Sequence, residues 1–208
     1  MPESLLSAAK KVAAFSDLSW TDVSRVYGAL QAGDRAPALP PAAATEVSAP
    51  GLPKSSGRNV WYAHPNFIAR LLLGLAGRAA TVDPWTTVKH FHDALPEQKA
   101  GADAPEQGVD DLEFRLATLL RNPKLADEVT RLEFNPEAAE FVLQHPTLGG
   151  RFRPASSVQR AAFIYSQQTF STRVAINPLL LQKLAAEIDW RPESFPPYRG
   201  ADAPESAE

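Results

Sequence analysis

Apolar residues recur at helical spacing through the first part of the chain, and strand-like alternation joins them toward its end. Between residues 18 and 30, Val23, Val26, Tyr27 and Leu30 fall at i, i+3, i+4 and i+7, one buried stripe of a helix. Ser19 is placed to cap its N-terminus, and Asp22 follows where the helix dipole favours an acid. Trp20, just inside the start, is expected to lean on the same core. The opposite face carries Thr21, Asp22, Ser24, Arg25 and Gly28, short and polar. An earlier helix over residues 3–14, with Leu5, Ala8, Ala9 and Val12 on one face, feeds it through Phe15-Ser16-Asp17-Leu18. A short helix, a turn and a second capped helix with a polar face are what a helix-turn-helix reader needs. Any helical hairpin shares that pattern.

Beyond residue 30 the periodicity collapses. Residues 31–58 are dominated by Ala, Pro, Ser and Gly, which predicts a mobile loop rather than an ordered wing. A short strand is expected at Asn59-Val60-Trp61-Tyr62. His64-Pro65 then opens a helix, since Pro suits the first helical position, and Phe67, Ile68, Leu71, Leu72 and Leu75 give it a wide apolar stripe. Asp83-Pro84 repeats the start signal ahead of Trp85, Val88, Phe91, His92 and Leu95. Residues 96–109 read as a linker, and residues 110–121 as a helix with acids at its start and Arg121 at its end.

An internal echo follows. Thr130-Arg131-Leu132-Glu133-Phe134-Asn135-Pro136 and Thr172-Arg173-Val174-Ala175-Ile176-Asn177-Pro178 share one form. Each predicts a short strand, an Asn cap, Pro at the first helical position and a helix, over residues 137–145 and 179–188. Between them Arg151-Phe152-Arg153 is a candidate strand with Gly149-Gly150 as a turn. Residues 156–165 fit strand or helix. From residue 191 onward, Pro, Ser and acids predict a disordered tail. The fold expected is α+β and mostly helical. An N-terminal helix-turn-helix-like module (residues 1–95) precedes a small α+β module (residues 110–190) with two strand–Asn-Pro–helix units.

Composition narrows the chemistry. There is no Cys, which removes disulfides, thiolate zinc sites and Cys nucleophiles. No apolar run approaches the ~20 residues a membrane span needs, and no leader pattern is visible, so a cytoplasmic protein without membrane contact is expected. The formal net charge is −3, yet residues 1–95 carry a small positive excess and residues 96–208 a negative one. That asymmetry points a polyanion to the N-terminal half and leaves the acidic C-terminal half as a surface for a protein partner.

The four His do not make a metal centre by spacing: His90 and His92 diverge on a helix, and His64 and His145 each precede a Pro. No metal, cofactor or catalytic residue is expected. No phosphate-cradling Gly-rich loop or nucleophile elbow occurs, and helix capping accounts for Asp110, Asp111 and Glu113. Arg25 is different, because a guanidinium on a polar helix face can read a guanine edge, with Thr21 and Ser24 one turn away for base or phosphate contacts. Ser19 completes that face. Lys10, Lys11, Lys54 and Arg58 are candidate phosphate contacts.

The order of features resembles that of small regulators encoded by phages and prophages. Residues 18–30 and His64-Pro65-Asn66-Phe67-Ile68-Ala69-Arg70-Leu71-Leu72-Leu73-Gly74-Leu75 carry the resemblance, under half of the chain. In that pattern a helix-turn-helix passes through a Gly/Pro/Arg-rich loop into an apolar helix. The resemblance implies sequence-specific binding of double-stranded DNA by the N-terminal part and self-association through the rest. The expectation is therefore a transcriptional regulator, of a phage or another mobile element, acting as a homodimer. The alternative is a protein-interaction or assembly adaptor that does not bind DNA.

Overall fold

The computed structural model describes residues 1–33, 51–54, 60–97, 111–154, 157–165, 172–192 and 198–199. Ser4 caps α1 (Leu5–Phe15), its hydroxyl accepting from the Ser7 amide at 3.1 Å, and Ser19 caps α2 (Trp20–Ala32). A two-residue strand β1 (Val60–Trp61) leads into α3 (Pro65–Ala79), and α4 (Pro84–Phe91) starts from the Asp83 cap. Then come β2 (Leu95–Pro96), α5 (Leu112–Arg121), α6 (Pro123–Asp127), β3 (Arg131–Asn135), β4 (Glu140–Gln144) and β5 (Gly150–Arg153). The last elements are α7 (Ser157–Tyr165), β6 (Val174–Ile176), α8 (Pro178–Glu187) and β7 (Tyr198–Arg199). The fold is α+β and mostly helical. Among the described residues no helix is long and apolar enough to cross a membrane.

The centre is α3. Nearly every residue from Pro65 to Gly77 is buried, as expected of a helix that is apolar all round. Its one buried charge is Arg70, whose Nε and Nη2 donate to the two carboxylate oxygens of Glu113 on α5 at 2.8 and 2.9 Å, while Nη1 donates to the Gly51 carbonyl. This bidentate geometry satisfies both ions inside the core; removing one partner of such a pair costs about 3–5 kcal/mol.

The strands form one antiparallel sheet in the order β2-β5-β4-β3-β6, and β1 and β7 pair as a separate ribbon. Leu132, Phe134, Phe141, Leu143 and Phe152 alternate onto the inner face, where Phe91 of α4 and Phe163 of α7 meet them edge-on. Core side chains from Leu5 to Ala94 and from Leu112 to Ile188 belong to one cluster, so packing runs without a break from the N-terminal helices to the sheet.

Several expectations change. Residues 137–145 form no helix: the first copy of the echo is a hairpin, β3 and β4 joined by a turn over residues 136–139. Asn135 caps that turn by accepting from the Ala138 amide at 3.4 Å, and Ala139 takes a positive φ of 47°. The chain then reverses, putting Phe141 opposite Phe134 and Leu143 opposite Leu132. Only the second copy is a strand followed by an Asn-capped helix. Residues 157–165, left open between strand and helix, are helical. Within the loop expected to be mobile, Leu52 is wholly buried and its amide donates to Leu30 at 3.1 Å; residues 34–50 and 55–59 lie outside the described residues. Pro96, expected in the linker, pairs with Phe152, and residues 98–110 are outside the description. In the expected tail, Arg191 donates its amide to Ala63 and β7 pairs with β1, while residues 193–197 and 200–208 are not described.

Candidate nucleic-acid interface

The α1–α2 pair is set by its turn. Residues 16–19 close α1 with the Ser16 amide on Val12 and reverse at Asp17, whose φ of 57° is a left-handed conformation that Asp tolerates better than most residues. Ser19 Oγ accepts from the Asp22 amide at 3.1 Å and donates to the Asp22 carboxylate at 2.7 Å. The cap therefore occupies the Ser19 hydroxyl.

The Val23, Val26, Tyr27 and Leu30 stripe is buried as its spacing requires. Burial of the Tyr27 phenol pushes its pKa up to about 12. The stripe sits against α3 at Gly74, where even a methyl group would meet Val26 Cγ1 at 2.9 Å. Thr21, Arg25 and Gly28 are exposed on the other side, and a side chain at Gly28 would touch nothing within 4 Å. Ser24 is half-buried and its hydroxyl donates to the Thr21 carbonyl at 3.0 Å. Trp20 does not join the core: it is 38% exposed and lies under the Lys10 ammonium, 5.9 Å from the ring centre.

The basic candidates divide. Lys10, exposed, stands at the N-terminal end of α2 through Trp20. Lys54, also exposed, stands at the other end, because Gln31 Nε2 donates to Pro53 at 2.8 Å and fixes residues 52–54 beside the helix end. The two flank a helix that is about 20 Å long at 1.5 Å per residue. Lys11 instead turns to α8, bonding the Glu3 carboxylate at 2.8 Å and the Glu187 carbonyl. Arg58 lies outside the described residues.

One residue of this candidate site was missed from the sequence. Arg78, at the end of α3, donates to the Asp22 carboxylate at 2.9 Å. The Ser19 hydroxyl and then Arg78 hold the Asp22 pKa below its usual value. The acid on the polar face of α2 is thus matched by a cation, and Arg25 adds a further positive charge. Nothing local announced this pairing, because the partners are 56 residues apart.

The His residues serve the fold. His64 caps α3, with Nδ1 accepting from the Asn66 amide at 3.3 Å. His145 Nδ1 accepts from the Thr147 and Leu148 amides, and His90 lies against the Phe163 ring. Among the described residues no group of His, Asp and Glu is arranged to hold a metal ion. No protein-family model, no curated protein and no solved structure matches this chain.

Proposed function

We propose that this chain is a DNA-binding transcriptional regulator, of the kind phages and other mobile elements encode, that places α2 in the major groove of double-stranded DNA and acts as a homodimer. One observation carries the reading: α2 is capped and seated by a single apolar face, while Trp20, Thr21, Arg25 and Gly28 stand open to solvent. A reader helix needs a rigid mount behind it and a short polar face before it. Matching of Asp22 by Arg78 supports the reading, as do Lys10 and Lys54 at the two ends of the helix. A dimer fits because one small helical reader makes few specific contacts.

The test is a binding site selected from random duplexes, then titrated beside a scrambled duplex at two salt concentrations. Arg25→Ala is expected to cost ~1–3 kcal/mol on the selected site and to relax preference at one base position. Lys10→Ala should weaken both duplexes alike. An Arg25→Ala protein that keeps its fold, affinity and preference would remove α2 as the reader.

The adaptor reading has one observation of its own. An open apolar groove of about 280 Å³ lies beside the α1–α2 turn, lined by Phe15, Leu18, Leu72, Leu75, Val174 and Leu180 among others. Failure of every selected duplex to bind would favour it.

A further inference from the structure

Phe91 of α4 and Phe163 of α7 pack on the Phe-lined side of the sheet, and the opposite side carries polar alternation. Pairing puts Arg151 opposite Val142, Val142 opposite Glu133 and Glu133 opposite Ala175, one row across four strands on that outer face. Arg131 and Arg153 join the row by the two-residue period of β3 and β5, and Arg173, just before β6, reaches in to bond Glu133 at 3.0 Å. Two carboxylates organise these guanidinium groups. Glu133 holds Arg131 and Arg173; Glu140 holds Arg153 at 2.7 Å and Arg151 at 3.9 Å.

Depth separates the two signs of charge. The Arg151 and Arg173 side chains are 63% and 62% exposed, whereas those of Glu133 and Glu140 are 9% exposed. Solvent meets guanidinium, with carboxylate underneath. One further acid, Glu97, sits at the β2 rim and pairs with Arg153 at 2.9 Å. From β5 to β6 the arginines span three strand spacings, about 14 Å.

We propose that this outer sheet face is a second contact surface for double-stranded DNA, one that grips phosphates and reads no bases. Guanidinium presented outward over buried carboxylates matches a phosphate backbone in charge and geometry. The face between the arginines offers Val142, Ala175, Gln144 and Asn135. Among the described residues it carries no aromatic ring on which an unpaired base could stack, and its one large apolar side chain besides Val142, the half-buried Leu95 opposite Arg153, lies at the β2 edge and not at the centre where a protein interface sets its anchors. The identity of the polyanion rests on the DNA-binding reading above, but the face does not depend on α2 being the reader.

Arg151→Ala with Arg173→Ala tests the proposal, since Glu140 keeps Arg153 and Glu133 keeps Arg131, so neither carboxylate is stripped of its partner. Binding of the full chain to a labelled random-sequence duplex is followed by anisotropy across a salt series, with circular dichroism and melting as fold controls. The expected result is a salt-dependence slope smaller by about two, one for each phosphate no longer neutralised, and the same on a selected site. Arg151→Lys with Arg173→Lys should restore most of the slope. Arg173→Ala alone serves if the double variant does not fold, with a slope change of about one. An unchanged slope in a folded variant overturns the proposal. So does polyglutamate competing as well as duplex DNA of equal charge, which would assign the face to an acidic protein. Failure of α2 looks different: Arg25→Ala without effect on preference, while the sheet variants still weaken binding to every duplex.

Discussion

His64 joins a capping role to a position deep among cations. Its Nδ1 accepts the first free amide of α3, and its ring is 7% exposed with Arg121 Nη2 at 3.2 Å from Nε2. Burial first, then the charges of Arg191, Arg121 and Arg70, push its pKa from 6.5 down to about 3. The unfolded chain takes up this proton more readily than the native one. The contribution of neutral His64 is therefore complete above pH 6.5 and is lost as pH falls from there toward 3. His64→Asn keeps an acceptor at the cap and removes the proton site. Denaturant unfolding of both proteins from pH 7.5 to 4.5 should show the native chain losing stability faster, by up to ~1.4 kcal/mol per pH unit below 6.5. Parallel curves would mean that His64 does not titrate with unfolding. The sequence placed His64 directly before a Pro and marked the helix start there; that His64 itself caps the helix is seen only in the structure. Its arginine neighbours come from three separate parts of the chain, and no spacing rule reaches them.

Among the elements, α2 owes its mount to one glycine. Gly74 lets α3 approach until Val26 Cγ1 and Leu30 Cδ1 lie 2.9 and 3.2 Å from where a Cβ would stand. Gly74→Ala should destabilise the fold by ~1–3 kcal/mol through overpacking. Val26→Ala alone opens a cavity. Together the two changes should cost less than their sum, because the new methyl fills space the valine leaves. Chemical denaturation of the four proteins of this cycle measures the coupling; strict additivity would show that the contact is relaxed elsewhere. The two copies of the Thr-Arg-apolar-x-apolar-Asn-Pro echo make the complementary point. After Pro178, Leu180, Leu181 and Leu184 recur at helical spacing and α8 forms. After Pro136 the apolar residues Phe141 and Leu143 alternate, and a strand forms instead. One local signal opens two different elements, and the residues beyond it choose.

At the scale of the molecule, the N-terminal helices and the sheet are joined by shared packing. α3 contacts α5, α8 meets both α1 and α5, and Lys11 binds the Glu187 carbonyl near the end of α8. Arg70 ties α3 to Glu113 across 43 residues and to Gly51. With one continuous core, thermal unfolding should be a single transition, coincident by far- and near-ultraviolet circular dichroism. Two separated transitions would mean that residues 1–95 and 111–190 hold independent cores. Charge follows the same logic. The half of the chain with the negative excess supplies the arginines that crowd the outer sheet face, so a count along the sequence and the field at the surface differ in sign there.

By itself the sequence determined the α+β class and the starts of α1 to α5 and of α8, though not α6, α7 or the strand that runs where a helix was expected over residues 137–145. It also determined the stripe by which α2 is held. Caps, Pro at the first helical position and i, i+3, i+4 spacing act within a turn or two, so one stretch of chain carries all the information they need. The tertiary structure decided the rest. It folded residues 136–144 back as a hairpin, drew Leu52 into the core, set Arg78 against Asp22 and gathered Arg131, Arg151, Arg153 and Arg173 on one face. Each of these joins groups far apart in sequence, and such pairs exist only once the packing of α3 and the register of the sheet have brought them within reach.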